Sequence, residues 1–244
     1  MPSAHATIGG SSIERTLACP GSIQAQAKLP RGASSAAADR GTLLHEAMTI
    51  MHSEGKTPEQ LVGHTGFGQV VTRADARTAL LPAYEALKKF IPTGVRVRME
   101  TRVKFLTNVW GTADVLAYDS TTAYVGDFKF GSHGVEAKDN QQLLFYAGAA
   151  LTCGKLPKNT ERIRYAIIQP RAKPILSQHV ITVEGLRAFS RRVLDVVPIA
   201  LGPNPPLNPG AHCKWCGAKP TCPAIHHRAP QSLSTALLNL TNRI

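Results

Sequence analysis

The chain has 244 residues, 28 Lys and Arg against 16 Asp and Glu for a net charge of +12, and a hydrophobic fraction of 43%. That length can bury a core without disulfides, the composition excludes a disordered chain, and no apolar run approaches the roughly 20 residues needed to span a bilayer. No secretory or import leader opens the sequence, so a cytoplasmic protein is expected, and the positive excess points first to a polyanion such as nucleic acid rather than to a membrane.

The first 33 residues are rich in Ser, Gly, Ala and Pro, with a short helix predicted at Ile13–Leu17 behind Ser11 or Ser12. From Ser34 to about Ser53, Leu43, Leu44, Ala47, Met48 and Met51 recur at three- and four-residue spacing, the buried stripe of a long helix. A second helix is predicted from Thr72 to Phe90, stopping before Pro92. The texture then changes. Val95, Val97, Met99, Thr101 and Val103 alternate with charged residues, the period of a half-buried strand. Strands follow at 112–118 and 123–130, a helix at 136–151, strands at 162–169 and 178–183, and a helix at 184–201. The Pro-rich stretch 203–209 precedes a cysteine-containing tail. The expected fold is α/β, a mixed central sheet flanked by helices. The expected division is an N-terminal segment 1–33, a core 34–202, a cysteine segment 203–228 and a tail helix 229–244.

Three patterns carry chemistry. Gly41-Thr-Leu-Leu-His45-Glu lies in the first long helix, Gly111-Thr-Ala-Asp114 on a strand, and Asp127-Phe-Lys129 at the end of the next strand. Asp114 and Asp127 can converge at the ends of neighbouring antiparallel strands, where their mutual repulsion favours a hard divalent cation. His45 would add a nitrogen ligand and shift preference toward Mn²⁺ over Mg²⁺. Lys129 leaves the same strand face as Asp127 and is suited to hold an attacking water or the charge growing on a phosphate. Glu100, on the preceding strand, is a candidate second-shell or additional acidic ligand.

These motifs, with Gln142-x-x-x-Tyr146 on the following helix, resemble the RecB-like branch of the PD-(D/E)XK nucleases over residues 12 to 224. The nearest likeness is to phage-encoded exonucleases and CRISPR-associated adaptation nucleases. The resemblance implies a restriction-endonuclease-like core in which His45, Asp114, Asp127 and the backbone carbonyl of Phe128 bind Mg²⁺ or Mn²⁺ and Lys129 assists hydrolysis. Gln142 and Tyr146 would orient that lysine or contact the DNA backbone.

Cys213-x-x-Cys216-x5-Cys222, with Cys19 far upstream, has metal-ligand spacing. Spacing alone leaves a zinc site and an iron–sulfur cluster both open, with His212 and His226-His227 as alternative donors. The resemblance selects Cys19, Cys213, Cys216 and Cys222 as ligands of a [4Fe–4S] cluster that staples the two chain ends; Cys153 matches no ligand position. The expected activity is a metal-dependent DNA exonuclease acting on single-stranded DNA or linear duplex ends in phage replication, recombination or processing, in the bacterial host cytoplasm if phage-encoded. A homo-oligomer is compatible with it. The alternatives are a non-catalytic nucleic-acid-binding module with a structural metal cluster, and a zinc-stabilised interaction protein whose tail Ser232–Ile244 binds a partner.

Overall fold

The computed structural model describes residues 6–30 and 32–226, so the expected tail helix 229–244 lies outside the described residues. Helices α1 (Gly10–Ala18), α2 (Ser22–Ala27) and α3 (Ala36–Glu54) come first. The Ser35 side chain caps α3 by accepting from Ala38 N–H at 3.2 Å, and Gly55, at φ +68°, ends it in the left-handed region. A hairpin of β1 (Thr65–Gly66) and β2 (Gln69–Val70) follows.

The predicted helix at 72–90 is one continuous helical stretch with a π-helical middle: α4 (Arg73–Asp75), the π segment Ala76–Leu80, and α5 (Leu81–Phe90). Its start is a capping box between Thr72 and Asp75.

Next come β3 (Val97–Leu106), β4 (Val109–Tyr118), β5 (Thr122–Phe128), α6 (Gln141–Thr152), β6 (Arg162–Ile168), β7 (Leu176–Thr182) and α7 (Val183–Leu201). The five strands form one mixed sheet in the order β3-β4-β5-β6-β7. Neighbours are antiparallel except β5 and β6, which run parallel and are joined through α6. Helix α6 begins five residues later than its composition suggests. The chain before it is tied down instead, with Val135 N–H donating to Gln169 Oε1 at 2.7 Å and Ala137 N–H to Ser177 Oγ at 3.0 Å. Asn140 then caps the helix. Among the described residues no helix is long and apolar enough to cross a membrane.

The chain divides into two compact units. The first, residues 1–11 and 32–191, contains the sheet. Its main core joins Leu43, Leu44, Met48 and Met51 of α3 and Leu87 and Phe90 of α5 to Val115, Tyr124 and Phe128 of the sheet. Strand β3 serves two helical layers. Val97 and Met99 pack on this core, whereas Phe105 meets Phe145 of α6 edge-on, with ring centroids 5.3 Å apart. Between them Glu100 takes φ +45°, which lets the strand redirect its side chains.

The second unit comprises, among the described residues, 12–30 and 192–226. Here α2 rests against the end of α7 and the chain just after it: Gln24 Nε2 donates to Ala200 O at 3.2 Å and Gly202 O at 2.7 Å. Gly21 N–H donates to Pro206 O at 2.9 Å. Arg15 reaches Trp215 O at 3.1 Å.

Candidate active site

The acidic residues converge because of register. Val115 pairs with Gly126, so Asp114 and Asp127, one step further along, face each other on neighbouring strands. Helix α3 brings His45 to the same place. Its Nδ1 lies 3.3 Å from Asp114 Oδ2 and 3.9 Å from Glu100 Oε1. His45, Glu100 and Asp114 each offer one ligand atom, all within 4.8 Å of one another. They line an open cleft of about 380 Å³ whose other walls include Gly41, Thr42 and Thr112.

Asp127 is turned differently. Its Oδ2 lies 2.8 Å from Lys129 Nζ, and its Oδ1 accepts from Gln142 Nε2 at 2.9 Å. Gln142 closes the circuit: its Oε1 accepts from Lys129 Nζ at 3.1 Å, and its Nε2 also donates to Tyr146 Oη at 2.9 Å. Positions 142 and 146 are one helical turn apart, so α6 presents both to the end of β5. Gly10 and Gly111 are packed so closely on the Tyr146 ring that a Cβ on either would clash with it.

Phe128 contributes through its backbone. Its N–H donates to Asp114 Oδ2 at 2.7 Å, and its backbone favours the protonated form of His45. The residues singled out from sequence in this unit therefore lie in one neighbourhood, in two linked groups: His45, Glu100 and Asp114, then Asp127, Lys129, Gln142 and Tyr146. Glu100 is a nearer member than its place on an alternating strand suggests. The only sequence signal for it is a lone carboxylate among basic residues, and its left-handed backbone is a strained conformation for a side chain of its size.

The electrostatics describe a centre short of positive charge. Burial holds the Asp114 carboxyl well above its usual range, and the charges of Asp127 and Glu100 add to that against the Phe128 N–H, which opposes it. Burial and Asp127 push Glu100 up as well. Burial lowers the His45 imidazole, partly offset by Asp127, and this favours the neutral, ligating form. Burial and Asp127 raise the Tyr146 phenol, so it stays protonated. Two clustered carboxylates with raised affinity for protons and a neutral imidazole form a donor set that a hard divalent cation would satisfy.

In the second unit, Cys19, Cys213, Cys216 and Cys222 line a single pocket with apolar neighbours such as Leu207 and Ile225. Asn208 N–H donates to Cys19 Sγ and Gly210 N–H to Cys213 Sγ, each at 3.3 Å. Among the described residues no three of these sulfurs lie within 4.8 Å of one another. A single tetrahedral zinc ion would hold them roughly 3.8 Å apart. All five cysteines, Cys153 included, are free thiols.

Over residues 5–242 the chain matches the family described as protein of unknown function DUF2800, and it belongs to that family. Among solved structures it is similar to an alkaline exonuclease (LHK-Exo) from Laribacter hongkongensis, at 12% identity and a TM-score of 0.33, covering 78% of this chain and 91% of that one. The complex of LHK-Exo with dAMP matches at 12% and 0.32, over 77% and 90%. SSO0001 matches at 13% and 0.33, over 87% and 94%. At these identities and TM-scores, none of the three likenesses says what this chain does.

Proposed function

We propose that this protein is a divalent-metal-dependent deoxyribonuclease of the PD-(D/E)XK type, an exonuclease of DNA replication, recombination or processing of the kind phages encode, acting in the cytoplasm. The observation that carries the reading is the bridge made by Gln142. One side chain holds Lys129 and Asp127 in fixed relation beside the cleft that contains His45, Glu100 and Asp114. A lysine that served only as a surface ion pair would not need an amide from another element to aim it.

His45, Glu100, Asp114 and Asp127, with the Phe128 carbonyl, would hold Mg²⁺ or Mn²⁺. The ion, when bound, neutralises these carboxylates and polarises the phosphate under attack. Lys129 carries the rest of the chemistry. Its ammonium stands where negative charge grows on the scissile phosphate, and it anchors the attacking water by hydrogen bonding. Gln142 keeps that ammonium from swinging away, and Tyr146, protonated, holds Gln142 in turn. The net positive chain attracts the DNA before any of these contacts form.

The test is digestion of end-labelled single- and double-stranded DNA with Mn²⁺ or Mg²⁺, comparing the unaltered protein, Asp127→Ala and an EDTA control. Progressive shortening that needs both metal and Asp127 supports the reading, and the label retained gives the polarity. Absence of cleavage by folded, metal-supplied protein would leave a DNA-binding module instead.

The four-cysteine pocket is a second part of the proposal. Four thiols around one apolar pocket, two of which, Cys19 and Cys213, receive backbone N–H bonds, would suit a [4Fe–4S] cluster. Cys19, Cys213, Cys216 and Cys222 would hold it, and it would act as a cross-link between distant parts of the sequence. Anaerobic purification should give about four iron and four sulfide per chain. Stoichiometric zinc without sulfide would replace the cluster with a zinc site.

A further inference from the structure

The outer face of the β3–β4 hairpin carries two cations and an aromatic ring at positions the core does not use. Arg102 and Lys104 are exposed, while Thr101, Val103 and Phe105 between and beside them are buried. Register pairs Arg102 with Thr112 and Lys104 with Trp110. Residues directly opposed across two antiparallel strands share a face, so these four side chains form one patch. The Arg102 guanidinium lies 3.7 Å from the centroid of the half-buried Trp110 ring. Among the described residues no carboxylate is within ion-pairing distance of Arg102 or Lys104. The patch also borders the acidic centre, because Thr112 is itself a wall of the cleft containing His45, Glu100 and Asp114.

Edge strands often carry Lys to discourage pairing with other chains. That accounts for Lys104. It does not account for a tryptophan on the solvent side of the neighbouring strand with a guanidinium stacked on it, since such a ring is usually buried by the fold or by a partner. Polyanion binding accounts for both: cations without counter-charges meet phosphates, and stacked π surfaces meet bases. Bases are reachable for stacking only when unpaired.

We propose that this patch is the track for a single strand of DNA leading to the scissile phosphate, with Lys104 and Arg102 on its phosphates and the Arg102–Trp110 stack as the platform for a base. The assignment rests on the nuclease reading and adds the strand form that the cleft receives.

The experiment uses Trp110 as its own reporter. Trp215→Phe leaves it the only tryptophan of the two in the chain. With Ca²⁺ in place of Mg²⁺, a short oligo-dT should quench Trp110 emission saturably, and a blunt hairpin duplex should do so far more weakly. Arg102→Gln/Lys104→Gln alters only exposed side chains, and a thermal melt verifies that it is folded. It should weaken oligo-dT binding about tenfold or more, the loss expected for one stacked base and its neighbouring contacts. The slope of log K against log salt should fall by about 1.4, for two phosphate contacts at about 0.7 each.

Binding of labelled oligo-dT by anisotropy with Trp110 emission unchanged, and with the same salt slope in the double variant, would overturn the track and leave the nuclease reading intact. Equal quenching by the blunt duplex would overturn the single-strand assignment. Failure of the folded protein to bind any DNA would overturn the track and the nuclease reading together.

Discussion

Asp114→Asn should make the metal-free protein more stable, the opposite of what loss of a structural ion pair gives. Burial and the neighbouring charges of Asp127 and Glu100 hold the Asp114 carboxyl well above its usual range. A carboxyl raised in this way binds more protons folded than unfolded, so its contribution to stability falls as pH rises. The penalty begins near the unfolded value of about 3.9 and grows until pH passes the folded value, each pKa unit being worth about 1.4 kcal/mol. Asparagine keeps the shape and an oxygen to accept the Phe128 N–H, which stands 2.7 Å away, and it removes the charge. In a chain of this size a gain of 1 kcal/mol raises Tm by about 2–4 °C.

The assay is a set of thermal melts in EDTA from acid to neutral pH. The variant should melt higher at neutral pH, with the gap closing as pH falls toward 4. Adding Mn²⁺ should reverse the order. A ligand at 100 times its Kd adds about 2.7 kcal/mol to the protein that binds it, roughly 5–10 °C here, and much less to a variant lacking a ligand oxygen. A variant that melts lower in EDTA by the same amount at every pH would refute the reasoning. Asp114 would then be a net stabilising partner of His45, and the excess of acid at this centre would have no cost to relieve.

Asp75 should behave the other way. Its carboxyl is buried and paired with Arg40 and Arg171. Burial raises its pKa, but hydrogen bonds from Thr72 and Arg40 outweigh that and hold it below the usual range. Asp75→Asn should cost about 1–3 kcal/mol, below the full penalty for a broken buried pair because both arginines reach water. The loss should be greatest at neutral pH and vanish as pH falls through the folded carboxyl's lowered pKa, read by urea melts at several pH values. Gly111→Ala puts a Cβ 2.8 Å from Tyr146 Cε1, so it should cost about 1–3 kcal/mol of stability through overpacking and lower the cleavage rate by displacing the Tyr146–Gln142 pair. Lys129→Met should lower kcat by about 10²–10³ with binding of DNA nearly unchanged. Gln142→Ala should cost less and leave a pH profile of unchanged shape, because it positions the lysine and does not exchange a proton.

Much of the candidate site's arrangement was legible because its residues are paired locally in sequence. Asp127 and Lys129 stand two apart where a strand ends, Lys129 one residue past β5, and Gln142 and Tyr146 share a helix face wherever the helix begins. The convergence of Asp114 with Asp127 needed only that two short runs form neighbouring antiparallel strands. The long helices were legible for the same reason: the Leu43–Met51 stripe and the stop before Pro92 depend on spacing alone. What escaped depends on contacts distant in sequence. Helix α6 starts late because Gln169 and Ser177 hold the preceding backbone. The short helix α2 is held by chain more than 170 residues away. The hairpin at 65–70 has two-residue strands that leave no periodicity to read.

Glu100 joins these two kinds of information. Strict alternation would keep every odd residue of β3 on one layer, yet Met99 belongs to the α3–α5 core and Phe105 to α6. Glu100, between them, leaves the extended conformation, and it is also one of the three residues whose side chains could hold a metal ion. A glycine would take φ +45° at no steric cost. A glutamate there bears the strain. The conformational cost at Glu100 and the electrostatic cost at Asp114 fall on residues whose side-chain oxygens meet at the same histidine. Relieving either should therefore stabilise the fold and empty the cleft of its affinity for a cation, so Glu100→Gly in EDTA should melt no lower than the unaltered protein while its response to Mn²⁺ falls.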